Sequence, residues 1–267
     1  LLESSTADEG GKAIPLAGFG APVLRGTPAR LSFSDRSGQQ LLIIPGQTRD
    51  GGRIADVARL RELPSLPFAS RELEGLRDLL GASATTIHIG IAATEAAVRT
   101  SDLRKTAIIA FATHGLMPGD GGLSEPGLVL TPPKRASDED DGLLTAAEIT
   151  TLRLRADLVI LSACNTAAGS DRAEPGLSGL ARSFFYAGAR SLLVSHWRIR
   201  DDIAAELTVD TVRRKRASAS GYAEALQGAM RSIRNDLRDP SRAHPAAWAP
   251  FVIVGDVRQS PTPGPTS

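Results

Sequence analysis

The chain has 267 residues, of which 42% are hydrophobic and 23% are charged, so it can form one large domain or two small ones with a full core. Its net charge of +1 does not favour nucleic-acid binding, and its single cysteine excludes an internal disulfide and a cysteine-rich zinc site. No apolar run approaches the roughly 18 residues of a membrane span, and no secretory signal pattern is visible. We therefore expect a cytoplasmic protein without nucleic-acid or membrane partners.

Both ends of the chain and one early stretch lack a clear structural pattern. Residues 1–11 are polar, and we expect a flexible lead-in there, whereas residues 258–267 are rich in Pro, Ser and Thr, which is typical of a disordered tail. The apolar segment 14–20 is a candidate first strand. Residues 21–62 then alternate short apolar pieces with polar residues and glycine, and we interpret part of this stretch as a possible insertion.

Regular hydrophobic patterns begin after Pro67. Leu73 and Leu76 recur at helical spacing, in a helix predicted to be capped by Ser70 and ended by Gly81. The further predicted elements are a strand over 85–91, a helix over 94–103, strands over 106–113 and 127–131, a helix opened by a capping box of Thr145 and Glu148, a strand entering Cys164, a helix over 177–188, a strand over 190–197, helices over 201–216 and 222–237, and a strand within 248–255. This alternation predicts an α/β fold over a single domain, residues 12–257, with a mostly parallel sheet covered by helices on both faces.

Two apolar strands lead to residues that are capable of nucleophilic catalysis. Residues 107–113 lead to His114, and the run 158–161 leads through two small residues to Cys164, the only cysteine. The separation of 164 − 114 = 50 residues allows the crossover connection that makes two strands parallel neighbours. Since parallel sheets place their chemistry at the carboxyl ends of strands, a thiol and its base would meet there.

The residue after the histidine suggests a third component. Gly115 has no Cβ, so its backbone N–H can approach a substrate carbonyl and, with the N–H of Cys164, form an oxyanion hole. Each residue also has a plainer interpretation, because a lone cysteine in a strand is usually an inert hydrophobe and a lone histidine at a strand end is usually structural. The pair is more informative because both residues occupy matching ends of similar strands.

Several short motifs follow one another in an order seen in a family of caspase-like proteins. They are Leu63-Pro64-Ser65-Leu66-Pro67, Ala112-Thr113-His114-Gly115, Leu144-Thr145-Ala146-Ala147-Glu148-Ile149, Leu161-Ser162-Ala163-Cys164-Asn165-Thr166, Ala181-Arg182-Ser183-Phe184-Phe185-Tyr186-Ala187-Gly188-Ala189, Val194-Ser195-His196-Trp197 and Trp248-Ala249-Pro250-Phe251. Over roughly residues 14–256, this order resembles that of CHAT domains. These domains are found largely in bacterial proteins, often behind tetratricopeptide repeats.

The resemblance implies a three-layer α/β/α sandwich of the caspase type and a dyad of His114 and Cys164. It implies no metal and no organic cofactor. It does not imply caspase specificity, because the caspase motif Gln-Ala-Cys-Arg/Gln/Gly-Gly is absent: Ser162 and Ala163 precede the cysteine, and Asn165 follows it. A preference for aspartate therefore does not follow.

The resemblance also implies that a protein or peptide substrate lies extended beside residues 194–198 and adds a strand to the sheet. The residues that would line this cleft are Ser195, His196, Trp197 and Arg198. Charged residues that could select a substrate side chain are Arg198 or Arg200 for an acidic one, and Asp171, Glu174, Asp201 or Asp202 for a basic one. For any single one of these charges, a solvated position or a helix end is the commoner role.

Two runs of like charge have simple interpretations. The acidic run 138–141 lacks the final glutamate of an EF-hand loop, so we interpret it as a solvated loop and not as a calcium site. The basic run 213–216 is typical of a charged helix end, and we do not expect it to bind nucleic acid.

The motifs favour a cysteine endopeptidase that cleaves a specific protein partner through the dyad and an acyl-enzyme, with an attached repeat domain as a possible regulator. The alternative is a non-catalytic caspase-like module for interaction or signalling, and a weaker one is a different thiol hydrolase on an α/β sheet. The catalytic hypothesis requires that the strands leading to His114 and Cys164 lie side by side.

Overall fold

A computed structural model describes residues 14–26, 55–118, 120, 123–162, 179–197, 199–218 and 220–255. The predicted lead-in, the predicted tail and the part of the possible insertion that spans 27–54 lie outside these ranges. The strands are β1 (Ile14–Gly20), β2 (Thr85–Ile89), β3 (Thr106–Ala112), β4 (Gly115–Leu116), β5 (Gly127–Val129), β6 (Leu143–Thr145), β7 (Leu158–Leu161), β8 (Ser191–Ser195) and β9 (Phe251–Gly255).

Six strands form the central sheet in the order β2-β1-β3-β7-β8-β9. All neighbours in it are parallel except β8 and β9, which are antiparallel. The prediction of a mostly parallel sheet is therefore confirmed. β3 and β7 lie in the middle of the sheet, where both faces of a strand are covered, and this explains why their sequences are almost continuously apolar.

Helices cover both faces of this sheet. The α-helices in the described ranges are α1 (Val57–Arg61), α2 (Ala69–Leu80), α3 (Glu95–Thr100), α4 (Ala146–Thr151), α5 (Gly179–Ala187), α6 (Asp201–Ala217), α7 (Tyr222–Arg234) and α8 (Pro245–Trp248). Buried residues of α2, α6, α7 and α8 share one hydrophobic cluster, and those of α3, α4 and α5 share another on the opposite face. The predicted α/β/α sandwich is confirmed. None of the helices in the described ranges is long and apolar enough to cross a membrane.

Alternate residues of the central strands supply the two clusters. In β3, Ile109 and Phe111 belong to the cluster with α5, whereas Ile108 and Ala110 belong to the cluster with α2 and α6. Since side chains of a strand point alternately to opposite faces, the next strand along, β7, divides in the same way. The residue that follows β7, Ser162, continues this alternation toward α2 and α6.

A second, antiparallel sheet of β4, β5 and β6 lies next to the residue that follows β3. Of its strands, the sequence pattern predicted only β5, because β4 and β6 are too short for their periodicity to be recognised. Val129 of this sheet packs with Leu60 of α1 and with Leu63 in a third, smaller cluster. Part of the stretch predicted as a possible insertion thus contributes a helix to this corner.

Several predicted boundaries differ from those of the structure, and two of the differences have a clear physical reason. Ser70 does not cap α2, because the helix begins one residue earlier and its N-cap position is Phe68, which makes no side-chain capping bond. The strand predicted over 85–91 ends at Ile89, because Gly90 turns the chain with a φ of +62°. Ile91 is consequently 82% exposed and does not continue the apolar face. The predicted capping box of Thr145 and Glu148 is confirmed.

The aromatic contact beneath β3 provides a test of the core. Phe184 of α5 is fully buried, and its ring centroid lies 5.5 Å from that of Phe111. We expect Phe184→Ala to lower the free energy of unfolding by about 3–5 kcal/mol, because it removes buried apolar surface and leaves a cavity. Tyr186→Ala on the same helix removes an exposed ring and should change it by about 0.5 kcal/mol or less. Urea denaturation measures both, and equal effects would contradict the described packing.

Candidate active site

The carboxyl ends of β3 and β7 lie side by side. Phe111 is aligned with Leu161, and the N–H of Ser162 donates a 3.1 Å hydrogen bond to the carbonyl of Phe111. His114 follows Phe111 by 114 − 111 = 3 residues, and Cys164 follows Leu161 by 164 − 161 = 3. The predicted parallel neighbours are confirmed, and the chain leaves both strands at the same edge of the sheet. Cys164, Asp171 and Glu174 themselves lie outside the described residues.

The ring of His114 is almost completely buried, at 4% exposure, and is oriented by a backbone carbonyl. Its Nε2 lies 2.7 Å from the carbonyl oxygen of Pro64. Because a carbonyl can only accept, Nε2 carries the hydrogen, and Nδ1 of the neutral ring is the atom that can take up a proton. Sequence reasoning identified His114 but not Pro64. The only sequence signal for Pro64 was its place in a family motif.

The position of the Pro64 carbonyl depends on a close contact between two loops. Gly26 donates to the carbonyl of Leu63 at 3.0 Å, and Ser65 donates back to the carbonyl of Gly26 at 3.2 Å. A Cβ at position 26 would lie 2.2 Å from the carbonyl oxygen of Glu62. Only glycine therefore fits, and this contact fixes the backbone that orients the histidine.

The small sheet holds the backbone around His114. The N–H of Val129 donates a 2.9 Å hydrogen bond to the carbonyl of His114, and the hydroxyl of Thr113 donates to the carbonyl of Val129. Gly115 and Leu128 form the next opposing pair. Because hydrogen-bonded and non-hydrogen-bonded pairs alternate in an antiparallel ladder, the N–H of Gly115 points away from β5. This N–H group therefore does not bond to β5 and can donate to an oxyanion.

A buried carboxyl group lies on the other side of the β7 terminus. Glu72 of α2 is 3% exposed and accepts a hydrogen bond from the hydroxyl of Ser162. Burial raises the pKa of Glu72 to about 7, although hydrogen bonds from Ser162 and Thr208 act to lower it and Asp201 acts to raise it further. Sequence reasoning missed Glu72. The sequence signal for its burial was its spacing of four residues from the core residue Leu76, which places both residues on the same face of the helix.

The predicted cleft residues, which begin with Ser195 at the end of β8, differ in exposure. Ser195 is buried and lies opposite Phe251 of β9. His196 is exposed, and its N–H donates to the carbonyl of Pro250 at 2.9 Å. Trp197 is 38% exposed, and its indole Nε1 donates to the carbonyl of Ala246 at 3.3 Å. Two of the four predicted residues thus lie on the surface, and Arg198 lies outside the described residues.

The charged residues at the start of α6 are engaged with each other. Arg200 forms ion pairs with Asp202 at 2.7 Å and with Asp239 at 3.2 Å. The hydrogen bonds that Arg200 donates to Asp202 are the largest cause of the raised pKa of its guanidinium. These ion pairs connect the start of α6 with the segment around Asp239. The charges of Arg200 and Asp202 are therefore already paired and are not presented to a substrate.

The acidic run 138–141 is only partly the solvated loop that was predicted. Asp138 and Glu139 are exposed, but Asp141 is buried. Its carboxylate accepts hydrogen bonds from the backbone N–H groups of Leu143 and Ala55 and so closes the loop. Within the described ranges, no three His, Cys, Asp or Glu side chains are grouped closely enough to hold a metal ion.

Comparison with protein families gives a match to one of them. The family model described as CHAT domain matches residues 20–256. The chain belongs to the CHAT-domain family. Tetratricopeptide repeat protein 28 from Mus musculus is 33% identical over 113 residues, and its counterpart from Homo sapiens is 29% identical over 113 residues. Each match covers 42% of this chain but only 4% of the relative, so it concerns a small part of those proteins.

The CHAT domain also resembles a solved peptidase structure. The Arg-specific cysteine proteinase gingipain R superposes with a TM-score of 0.50 at 10% sequence identity, over 91% of this chain and 46% of the other. Identity this low shows the fold alone. Together with the family match it establishes a caspase-like peptidase fold, as the motif order predicted.

The contact with Pro64 predicts the tautomer of His114. We expect long-range proton–nitrogen NMR spectra of the Cys164→Ala protein, which has no thiol proton to transfer to the ring, to show the neutral ring of His114 with its hydrogen on Nε2, because this nitrogen faces the carbonyl of Pro64. Gly26→Val should displace the Pro64 backbone and give a mixture of tautomers. His114→Ala identifies the signals among the four histidines. In Cys164→Ala, a neutral ring that carries its hydrogen on Nδ1 would contradict the described orientation.

The raised pKa of Glu72 predicts how stability depends on pH. Between the ordinary value of 4.5 and the folded value of about 7, the folded protein binds more protons than the unfolded chain. The stability contributed by this group is therefore present below pH 4.5 and is lost as the pH rises to about 7. Glu72→Gln should flatten the pH dependence of the urea midpoint in this window. The exposed Glu74→Gln on the same helix is the control, and an unchanged slope in Glu72→Gln would contradict the assignment.

Proposed function

We propose that this CHAT domain is a cysteine endopeptidase that cleaves a protein partner through a dyad of His114 and Cys164. The observation that carries the proposal is the register of β3 and β7. Their aligned ends are followed, at equal distances along the chain, by a histidine and by the only cysteine. The caspase-like fold supports a hydrolase, and the buried, oriented ring of His114 supports its role as the base.

The reaction proceeds in two halves. The thiolate of Cys164 attacks the carbonyl carbon of a peptide bond and forms a carbon–sulfur bond. His114 accepts the thiol proton and donates it to the leaving amine as the carbon–nitrogen bond breaks. Water then hydrolyses the thioester, with His114 as general base, and releases the new carboxyl terminus. The carbonyl of Pro64 keeps the ring oriented throughout, because its hydrogen bond to Nε2 is retained in both protonation states.

The proposed oxyanion hole consists of the N–H groups of Gly115 and Cys164. The ladder geometry of β4 and β5 supports the role of Gly115, because it directs this N–H away from β5. One such donor is typically worth about 3 kcal/mol of transition-state stabilisation. The absence of a Cβ at position 115 allows the close approach.

The substrate is proposed to lie as an extended strand beside residues 194–198. β9 occupies one side of β8 as far as Ser195, and His196 is bound to Pro250 on that same side. The substrate strand therefore adds from the opposite side, where β7 ends and Cys164 follows. Because Arg200 is paired with two aspartates, we do not assign it a role in recognising an acidic side chain of the substrate.

The names of the mouse and human relatives suggest a domain context. Both are tetratricopeptide repeat proteins, so we include an attached repeat domain as part of the proposal. Such a domain would select the protein partner and leave bond cleavage to the dyad. The competing possibility is a non-catalytic interaction module that keeps the fold, and the following experiment distinguishes the two.

Mapping of new protein N-termini tests the proposal. Lysates exposed to the wild-type domain should contain cleavage products that are absent with Cys164→Ala and with His114→Ala, with losses of on the order of 1000-fold or more. His244→Ala, at a histidine outside the proposed site, should behave as the wild type, and circular dichroism should show all variants folded. Cleavage by either dyad variant at the wild-type rate would refute the dyad. An absence of cleavage by the wild type would favour the non-catalytic module.

A further inference from the structure

A buried polar cluster lies directly beneath the strand that leads to Cys164, and the proposed reaction does not use it. It consists of Glu72 on α2, Ser162 at the end of β7 and Thr208 on α6. The hydroxyl of Ser162 donates to Oε1 of Glu72 and lies 3.4 Å from the hydroxyl of Thr208. Glu72 and Thr208 are buried. Three separate elements therefore meet through polar side chains at the point where the chain leaves the sheet.

The carboxyl group of Glu72 is costly to bury at this position. Among the described residues it has no ion pair with a lysine, arginine or histidine. Its neighbours on the inner face of α2, Leu73 and Leu76, show that an apolar side chain packs well there. A buried carboxyl group without an ion pair lowers the stability of the fold relative to an apolar residue at the same position. Its presence here therefore calls for an explanation other than stability. Its specific contact is with Ser162, which is two residues before Cys164.

We propose that Glu72 is a positioning residue for Cys164: through Ser162 and Thr208, it fixes the direction in which the backbone leaves β7. This inference rests on the proposed peptidase function. The side chain of Ser162 is held toward α2 and α6, so the rotation of the backbone at this residue is fixed. A thiol must be placed within about 1 Å of its productive position, because a misplacement of this size can reduce a rate on the order of 100-fold.

The hydrogen bonds of this cluster depend on pH. A protonated Glu72 donates one hydrogen bond and accepts others, whereas an ionised Glu72 only accepts. Asp201 at the start of α6 is the charged group that acts on Glu72. β1 and β3 present no charged side chain to α2, and His88 of β2 stacks on Phe19 on the other face of the sheet. The hydrogen bonds that hold Ser162 therefore rearrange as Glu72 titrates.

The test measures the reactivity of the only cysteine without any substrate. The rate of alkylation of Cys164 by iodoacetamide is measured over about two pH units on either side of neutrality. The rate of peptide hydrolysis is measured over the same range. The wild type should show an inflection near pH 7 in both, from the titration of Glu72. Glu72→Gln keeps the shape and an acceptor oxygen but cannot titrate, so this inflection should disappear.

Ser162→Ala provides the sharper variant. It removes a hydrogen bond that lowers the pKa of Glu72, so the inflection should move to higher pH. It should also lower kcat on the order of 10-fold or more with little change in KM, because the proposed substrate strand does not contact Ser162. Glu95→Gln is the matched control. It removes another buried carboxyl whose pKa is raised by burial, but one bound to Arg99 and the 141–142 loop, so the profile should stay as in the wild type.

Each result decides between the two proposals. If Glu72→Gln keeps the inflection, if Ser162→Ala does not move it, or if Glu95→Gln removes it equally, the positioning role is refuted. If alkylation follows the expected pattern but the wild type hydrolyses no peptide or protein, the positioning role holds and the peptidase proposal fails. If the wild type hydrolyses peptides while Glu72→Gln and Ser162→Ala match it at every pH, the peptidase proposal holds and the positioning role fails.

Discussion

The parallel hydrogen-bonded pairing of β3 with β7 is the constraint on which the proposed site depends. It aligns Phe111 with Leu161, so the two strands that are followed in the sequence by His114 and by Cys164 end at the same edge of the sheet. A shift of one residue in this register would reverse the faces of every side chain in β7. Both strands are buried on two faces, so such a shift would place their alternate residues in the wrong cluster. The core therefore fixes the register that the proposed chemistry needs.

The groups around this edge are held from different layers of the sandwich. The loop that contains Pro64 orients the imidazole, and the small antiparallel sheet holds the backbone of His114. On the opposite side, α2 and α6 contribute Glu72 and Thr208 to the end of β7. The proposed base and the strand that leads to the proposed nucleophile are thus supported independently. A change in one support is expected to leave the other intact, which makes single substitutions informative here.

The sequence predicts those features that depend on neighbouring residues in the chain. The apolar runs of β3 and β7, the capping box of Thr145 and the end of α2 at Gly81 are all local patterns, and the structure contains them. Pro64 and Glu72 were missed because their roles arise from contacts with residues 50 and 90 positions away. The start of α2 was misplaced at Ser70 for a related reason. A good capping residue does not determine a helix end when tertiary packing of Ala69 extends the helix.

The central claim is that His114 acts on the thiol of Cys164. The ultraviolet absorbance of the thiolate, followed as a function of pH, tests this most directly, because the chain has a single cysteine. In the wild type, the pKa of Cys164 should lie well below the ordinary value of about 8.5, since an imidazolium beside a thiol favours its ionised form. In His114→Ala it should return to that value or above. The same thiol pKa in both proteins would contradict the account.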